Sequence, residues 1–567
     1  MDFGYVSLEG SKPDLQALVN AHALGFDTET TGVKADRDYP LGFSVACSPY
    51  DAYYTNMYNG FMTGLIADDN ITKISHNAKF DRSMFKKCGI EINNMCCTMV
   101  AAQLLEEPRL SLKDLLKAKI KGQDLKIKFF EDFNKPIKEA TLQEMAMHFG
   151  PHSSAALMLW NVLQYELRRD NLWNVFWNIE MPVIPVLSDM ELNGTMIDVP
   201  YLDELGKYLD SWIYAYGEYL AHLSGHTNIN WNSPDQTAHY MYGEMGLPKP
   251  MEKKKASAKK SKHPSVDKKY LIGFQDTYPV IKYYLRYKNL VHLKGTYVTG
   301  IGKRLVNGRI HTNFNQTRTR TGRLSSSDPN LQNIPMRSEL GRKVRLAFIA
   351  PQGKSIVKAD MDQMELKKMA CLSNCKPLLD AFRNHEDVHG TTAMHAYGDI
   401  ARRPDGKTLN FKLIYGGGTP EQQAILFQIY PDVKQWSDSM LEQFQLLGFA
   451  QTHYGRRQHL PHINSSNRME VAHAHRQGIS TMDQGSCSEY LKISMRKIWN
   501  KIKNTDIKML LQVHDELVFE CPDELVEDFS HELARDMQYN ELQIPLTATV
   551  SVGKSWGDTK KFISEKL

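Results

Sequence analysis

Met509-Leu510-Leu511-Gln512-Val513-His514-Asp515-Glu516-Leu517-Val518-Phe519-Glu520-Cys521 is the stretch whose reading decides the fold. It is two apolar runs around a polar knot. Leu510, Leu511 and Val513 on one side and Leu517, Val518 and Phe519 on the other have the character of two short strands, which places the acids at or beside a hairpin turn. Adjacent carboxylates against core strands lose hydration or take up a proton unless something neutralises them, and a divalent cation is the usual remedy. A solvated turn is the competing reading of this stretch alone.

Two further stretches favour the cation. In Lys358-Ala359-Asp360-Met361-Asp362-Gln363-Met364-Glu365-Leu366, a strand over 355–359 and a helix from Met364 to Leu372 would put Asp360 at a strand end. Between it and the hairpin, Arg403, Lys407, Phe411 and Tyr415 recur every four residues. On a helix that spacing makes one stripe of two cations followed by two aromatic rings. The cationic half suits a triphosphate and the aromatic half a nucleobase.

These three stretches resemble motifs A, B and C of family A DNA polymerases, and Thr321-Gly322-Arg323 through Asn333-Ile334-Pro335 is similar to that family's template and primer contact segment. The resemblance implies a multi-domain α/β chain: an RNase H-like exonuclease domain, then a right-hand polymerase with a thumb, a palm built on an antiparallel sheet, and helical fingers. The expected boundaries are 1–170 for the exonuclease-like part, 171–310 for the thumb, 311–380 and 470–567 for the palm, and 381–469 for the fingers. It further implies template-directed addition of dNTPs to a primer 3′ end. Asp360 and Asp515, with the Met361 carbonyl, would hold two Mg2+, for which Mn2+ can substitute, and Glu516 would be a supporting acid. Gln363, Glu365, Arg403, Lys407, Phe411, Tyr415 and His514 would meet the incoming nucleotide. Among them Lys407 would also assist pyrophosphate departure, and Glu365 would be the steric gate against a ribose 2′-hydroxyl. Lys294, Arg323, Asn330, Gln332, Asn333, Arg476, Gln484 and Gln512 would contact the primer-template, where amide and guanidinium donors meet the acceptors common to every correct pair in the minor groove. Pro404 and Gly406 depart from a good helix interior, so the fingers helix is expected to begin near Pro404 and to be loosely held before nucleotide binds.

The N-terminal part carries its own carboxylates. Asp27 and Glu29 lie two apart on an expected strand, so they share a face. Asn77 and Asp81 follow after another short strand. Three carboxylates at one point would hold two divalent ions about 4 Å apart, as phosphodiester hydrolysis needs. The pattern resembles the first two motifs of DEDD 3′-5′ exonucleases. The third motif, a Tyr and then an Asp at a helix start, holds His148 and His152 here. That leaves two readings: a working proofreading exonuclease in which His148 or His152 substitutes with two ions bound, or a weak or silent domain that helps hold DNA.

With 567 residues, 42% hydrophobic, 24% charged and a net charge of +4, the chain is long enough for several cores and only mildly basic. No apolar run approaches a membrane span and the N-terminus has no secretion signal, so a cytoplasmic monomer without membrane contact is expected. Eight cysteines without a paired framework read as reduced thiols. A basic run, Lys253-Lys254-Lys255 to Lys262, reads either as a solvated loop or as phosphate contacts along the duplex. By the same resemblance, the chain is expected to start at the exonuclease-like part without the 5′ nuclease some relatives carry, an economy like that of viral family members.

Overall fold

The computed structural model describes residues 3–7, 12–120, 139–250, 264–336, 338–414 and 417–563. The basic run from Lys253 to Lys262 and Tyr415 lie outside the described residues.

The N-terminal sheet has six strands in the order Phe3–Ser7, Asp51–Asn56, Pro40–Ala46, Ala23–Thr30, Thr72–Ser75, Met95–Cys97. The first four pair antiparallel and the last two join in parallel. The Leu15–Val19 helix, opened by the Asp14 cap, precedes the strand at Ala23. Across the sheet lies a 28-residue helix, Leu142–Arg169, started by a capping box in which Thr141 and Glu144 satisfy each other's backbone N–H groups. His148 and His152 therefore stand well inside a helix and not at its start. The helix can lie this close because Gly25 faces it: a Cβ there would come within 2.2 Å of the Ser153 carbonyl oxygen.

The second sheet has five antiparallel strands in the order Lys508–Val513, Glu516–Pro522, Lys354–Met361, Ala548–Gly553, Lys560–Ile563. Its central strand reads buried at Ile356, Val357 and Ala359, and with the hairpin's Leu517, Val518 and Phe519 these residues belong to one apolar cluster that extends to Leu202, Leu205 and Leu293. Glu516 is the first residue of a strand, and the turn proper is His514-Asp515, where His514 takes a left-handed φ of 56°. A third cluster, from Leu366 and Met369 to Leu409, Phe444 and Ile479, surrounds the Arg403–Ile414 helix. A fourth, around Trp231, Met241 and Tyr284, packs Val199–Ser224 against Pro279–Leu293.

Gly406 has a packing reason that its helix propensity concealed. A Cβ on it would sit 2.1 Å from the His389 carbonyl oxygen, so the Val388–Tyr397 and Arg403–Ile414 helices touch backbone to backbone there. Its cost to the helix is offset by that contact.

A buried charge cluster joins distant segments. Glu180 accepts from Arg456, from Lys492 Nζ at 2.6 Å and from Gln316 Nε2 at 2.9 Å, while Arg456 also reaches Gln103 Oε1 at 3.3 Å. All of Glu180, Arg456 and Lys492 are at most 2% exposed. Burying such charges is tolerable only because they are mutually paired.

Candidate active site

Strand pairing alone assembles the acidic end of the second sheet. Asp360 stands directly opposite Glu516 in the ladder, and the Met361 N–H donates to the Asp515 carbonyl at 3.2 Å, which ties the hairpin turn to the end of the central strand. Asp360 and Asp515 thus meet from segments about 150 residues apart. Asp360 opens to solvent on the floor of the cleft, and Asp515 is half-buried. Loss of hydration, then the neighbouring Glu516, pushes the Asp360 carboxyl up to about 6, against the pull of Lys358, Lys407 and Arg345. Burial, then Glu365 and Asp360 against the pull of Arg323, pushes Asp515 up to about 7. Among the described residues neither carboxylate has an ion-pair partner within 4 Å. Two crowded carboxylates without an ion-pair partner among the described residues fit a divalent cation.

Glu516 is differently placed. It accepts from Lys358 Nζ at 2.7 Å and from Trp556 Nε1 at 2.7 Å, with Arg345 Nη1 3.8 Å away. Its charge is already met. Lys358, Arg345 and Trp556 were not singled out by sequence, though Lys358 lies two residues before Asp360 and so on the same strand face, a signal that was available. Asp483 was missed as well. It lies wholly buried beside Gln484 with neither oxygen hydrogen-bonded among the described residues, and burial followed by Glu365 holds its carboxyl well above the usual range.

Around the acids, Gln363 caps the Met364–Leu372 helix in a left-handed conformation, and the buried Glu365 in its first turn accepts from Arg323. The exposed His514 is held below its usual pKa by partial burial and then by Arg323 and Arg345. On the fingers helix, Lys407 Nζ lies 5.7 Å from the Phe411 ring centroid, Phe411 stacks on His389 at 6.4 Å, and Arg403 Nε donates to Asp387 Oδ2 at 2.6 Å. The expected stripe is therefore present over its first three members. Of the expected DNA contacts, Gln332 donates to Gln512 Oε1 at 2.8 Å and Asn330 accepts from the Gln332 N–H at 3.1 Å. Asn333 is exposed, with its carbonyl taking the Tyr297 hydroxyl, while Arg476 is half-buried and Gln484 buried. Lys294 is held by Asp210 at 2.5 Å.

Residues 199–558 match the family described as DNA polymerase family A, and residues 11–147 match the family described as 3'-5' exonuclease. The chain belongs to DNA polymerase family A. This family A chain is 32% identical to DNA polymerase I of Chloroflexus aurantiacus over 95% of its own length and 62% of the relative's. For DNA polymerase I of Pseudomonas aeruginosa the figures are 32%, 96% and 64%, and for the thermostable DNA polymerase I of Thermus thermophilus 34%, 73% and 52%. The chain therefore spans between about half and two thirds of the length of these curated relatives. The structure of the POL domain of Pol1 from M. smegmatis, in complex with DNA primer-template and dNTP, superposes with a TM-score of 0.84 at 27% identity, covering 96% of this chain and 97% of that one. The family A fold is thus shared from the exonuclease-like sheet through the palm.

The family A chain's second acidic site is built differently. Asp27 and Glu29 face the helix carrying His152, whose Nδ1 lies 3.3 Å from Asp27 Oδ2 and 3.6 Å from Glu29 Oε1. Among the described residues these three make the one group of metal-ligating side chains with ligand atoms within 4.8 Å of one another. Burial opposes charge on His152, but the hydrogen bonds and charges of Asp27 and Glu29 prevail and raise it to about 10. Burial and Asp27 in turn push Glu29 up to about 7. Asp81 is buried and bonded to Ser75 Oγ, with its carboxyl driven far up by burial and then by the nearby Asp27 charge; it lies beside the group without a ligand atom in it. His148 lies one turn before His152, edge-on to Phe149, and is also outside the group. A pair of magnesium ions does not fit here: two carboxylates and an imidazole give too little negative charge. Asn77, left-handed before the Ala78–Lys87 helix, instead lines a cleft of about 390 Å³ shared with Lys79, Arg318 and Asp328.

Proposed function

We propose that the chain is a template-directed DNA polymerase that adds dNTPs to a primer 3′ end, in the service of DNA replication. The observation that supports this best is the meeting of Asp360 and Asp515 at one sheet end, both crowded and without an ion-pair partner among the described residues, beside the Arg403, Lys407 and Phe411 face. When bound there on Asp360, Asp515 and the Met361 carbonyl, two Mg2+ (or Mn2+) would lower the pKa of the primer hydroxyl and neutralise the phosphates. The chain's own groups do the rest. Arg403 and Lys407 grip the triphosphate, and Lys407 gives a proton or its charge to the leaving pyrophosphate. Phe411 stacks near the incoming base, Tyr415 takes the template side, and Gln363, Glu365 and His514 shape the sugar pocket. Arg323, Asn330, Gln332, Asn333, Arg476, Gln484 and Gln512 track the primer-template, with Lys294 released from Asp210 onto the duplex. Residues 1–170 form the exonuclease-like unit, 171–310 the thumb, 311–380 and 470–567 the palm and 381–469 the fingers of a cytoplasmic monomer. No helix among the described residues is long and apolar enough to cross a membrane.

Primer extension tests the reading. The native chain lengthens a labelled primer in Mg2+, whereas Asp360→Asn and Asp515→Asn lose extension by at least about a thousandfold while retaining duplex binding. Extension by either variant at the native rate overturns it.

A further inference from the structure

We infer that the exonuclease-like site holds a single borderline divalent ion, of the manganese, cobalt or zinc kind, on Asp27, Glu29 and His152, in place of the magnesium pair that its fold family implies. The inference rests on the exonuclease-like architecture and is independent of nucleotide addition at the palm.

The donor set is the first reason. Magnesium takes hard oxygen ligands and needs several of them, whereas an imidazole nitrogen raises affinity in the order manganese, cobalt, zinc. Two carboxylates balance one dication and leave a second unmatched. Asp81 feels the Asp27 charge but is turned to Ser75 and buried, outside the three close ligand atoms.

Spacing is the second reason. His152 Nδ1 stands 3.3 Å from Asp27 Oδ2 and 3.6 Å from Glu29 Oε1. Donor atoms on a four-coordinate ion with bonds of about 2.0–2.1 Å lie roughly 3.3 Å apart. The two edges that meet at His152 Nδ1 thus already match such a shell, and all three atoms lie within 4.8 Å of one another. Their spacing is also fixed by the backbone. Asp27 and Glu29 are two apart on one strand, and Gly25 lets the His152 helix rest directly on that strand. Binding exchanges the imidazole's pairing with the two carboxylates for three metal bonds and releases the imidazole proton to solvent.

Cobalt absorption reads the site directly. The full chain carrying Asp360→Asn and Asp515→Asn, so that the palm does not compete, is titrated with Co2+ and followed by its visible d–d bands. One Co2+ per chain is expected, displaced by an equal concentration of Zn2+ and by Mg2+ only at about a hundredfold excess or more. His152→Ala and His152→Gln should each weaken Co2+ by about 10–100-fold, the usual effect of disturbing a metal shell. His152→Asp should narrow the gap between Co2+ and Mg2+. Circular dichroism of each variant separates loss of the ion from loss of the fold, and a misfolded variant is replaced by the other two in the comparison. Two ions at this site, bands indifferent to His152, or Mg2+ displacing Co2+ at equal concentration overturns the inference. Failure here leaves primer extension untouched, and failure of extension leaves these bands in place.

Discussion

Arg323 donates to the Glu365 carboxylate, so the side chain expected at the primer terminus and the one expected to exclude a ribose hydroxyl form a single ion pair. Glu365 is 5% exposed, so the pair is buried on the carboxylate side. Removing one member of such a pair costs about 3–5 kcal/mol, largely because the other is left uncompensated. Glu365→Ala is therefore expected to do two things at once: admit ribonucleotides about 10–100-fold better and slow extension from correct termini. Glu365→Gln should retain most of the exclusion and lose most of the rate. Single-nucleotide incorporation with matched dNTP and rNTP measures both.

Arg403 is held by Asp387 at 2.6 Å, with both side chains about half exposed. A triphosphate must take the guanidinium from that carboxylate. Exposed pairs are worth at most about 1 kcal/mol, so Asp387→Asn should lower the KM for dNTP by no more than about fivefold and leave kcat alone. Arg403→Ala should raise KM by more than that. Steady-state extension at varied dNTP distinguishes the two.

Gly406→Ala would normally strengthen a helix by up to about 1 kcal/mol. Here the added methyl meets the His389 carbonyl at 2.1 Å, and overpacking costs about 1–3 kcal/mol. The variant should be less stable in urea, and the matching substitution at Gly302, where a Cβ meets nothing within 4 Å, should not be.

His389 is held neutral, down at about 4, by burial and then by the nearby Lys407 and Arg403 charges, while Asp387 pulls the other way. Its ring backs Phe411 and its Nδ1 lies 3.0 Å from Asn410 Nδ2. The unfolded chain binds this proton first. Stability from the site is complete above about pH 6.5 and is lost as the pH falls through about 4. Melting temperature should drop over that window, and His389→Gln should flatten the drop. An unchanged slope in the variant assigns the acid lability elsewhere.

Much of the palm was legible because it is written in short local patterns. The 355–359 strand, the helix from Met364 and the hairpin each announce themselves through apolar alternation and polar breaks, and Asp360 stands where that grammar put it. What remained hidden depends on contacts between segments far apart in sequence. Nothing local tells that Gly406 meets the next helix, that Asp81 turns inward while His152 turns toward Asp27, or that Glu516 is answered by Trp556. The start of the Leu142 helix was misplaced because the family's third motif sets it beside His148 and His152, whereas the Thr141 and Glu144 capping box opens it earlier.

The cluster of Gln103, Glu180, Arg456 and Lys492 also bears on how the segments that carry it are held together. Opening a hinge there would strand several buried charges, so the seam between these segments resists separation.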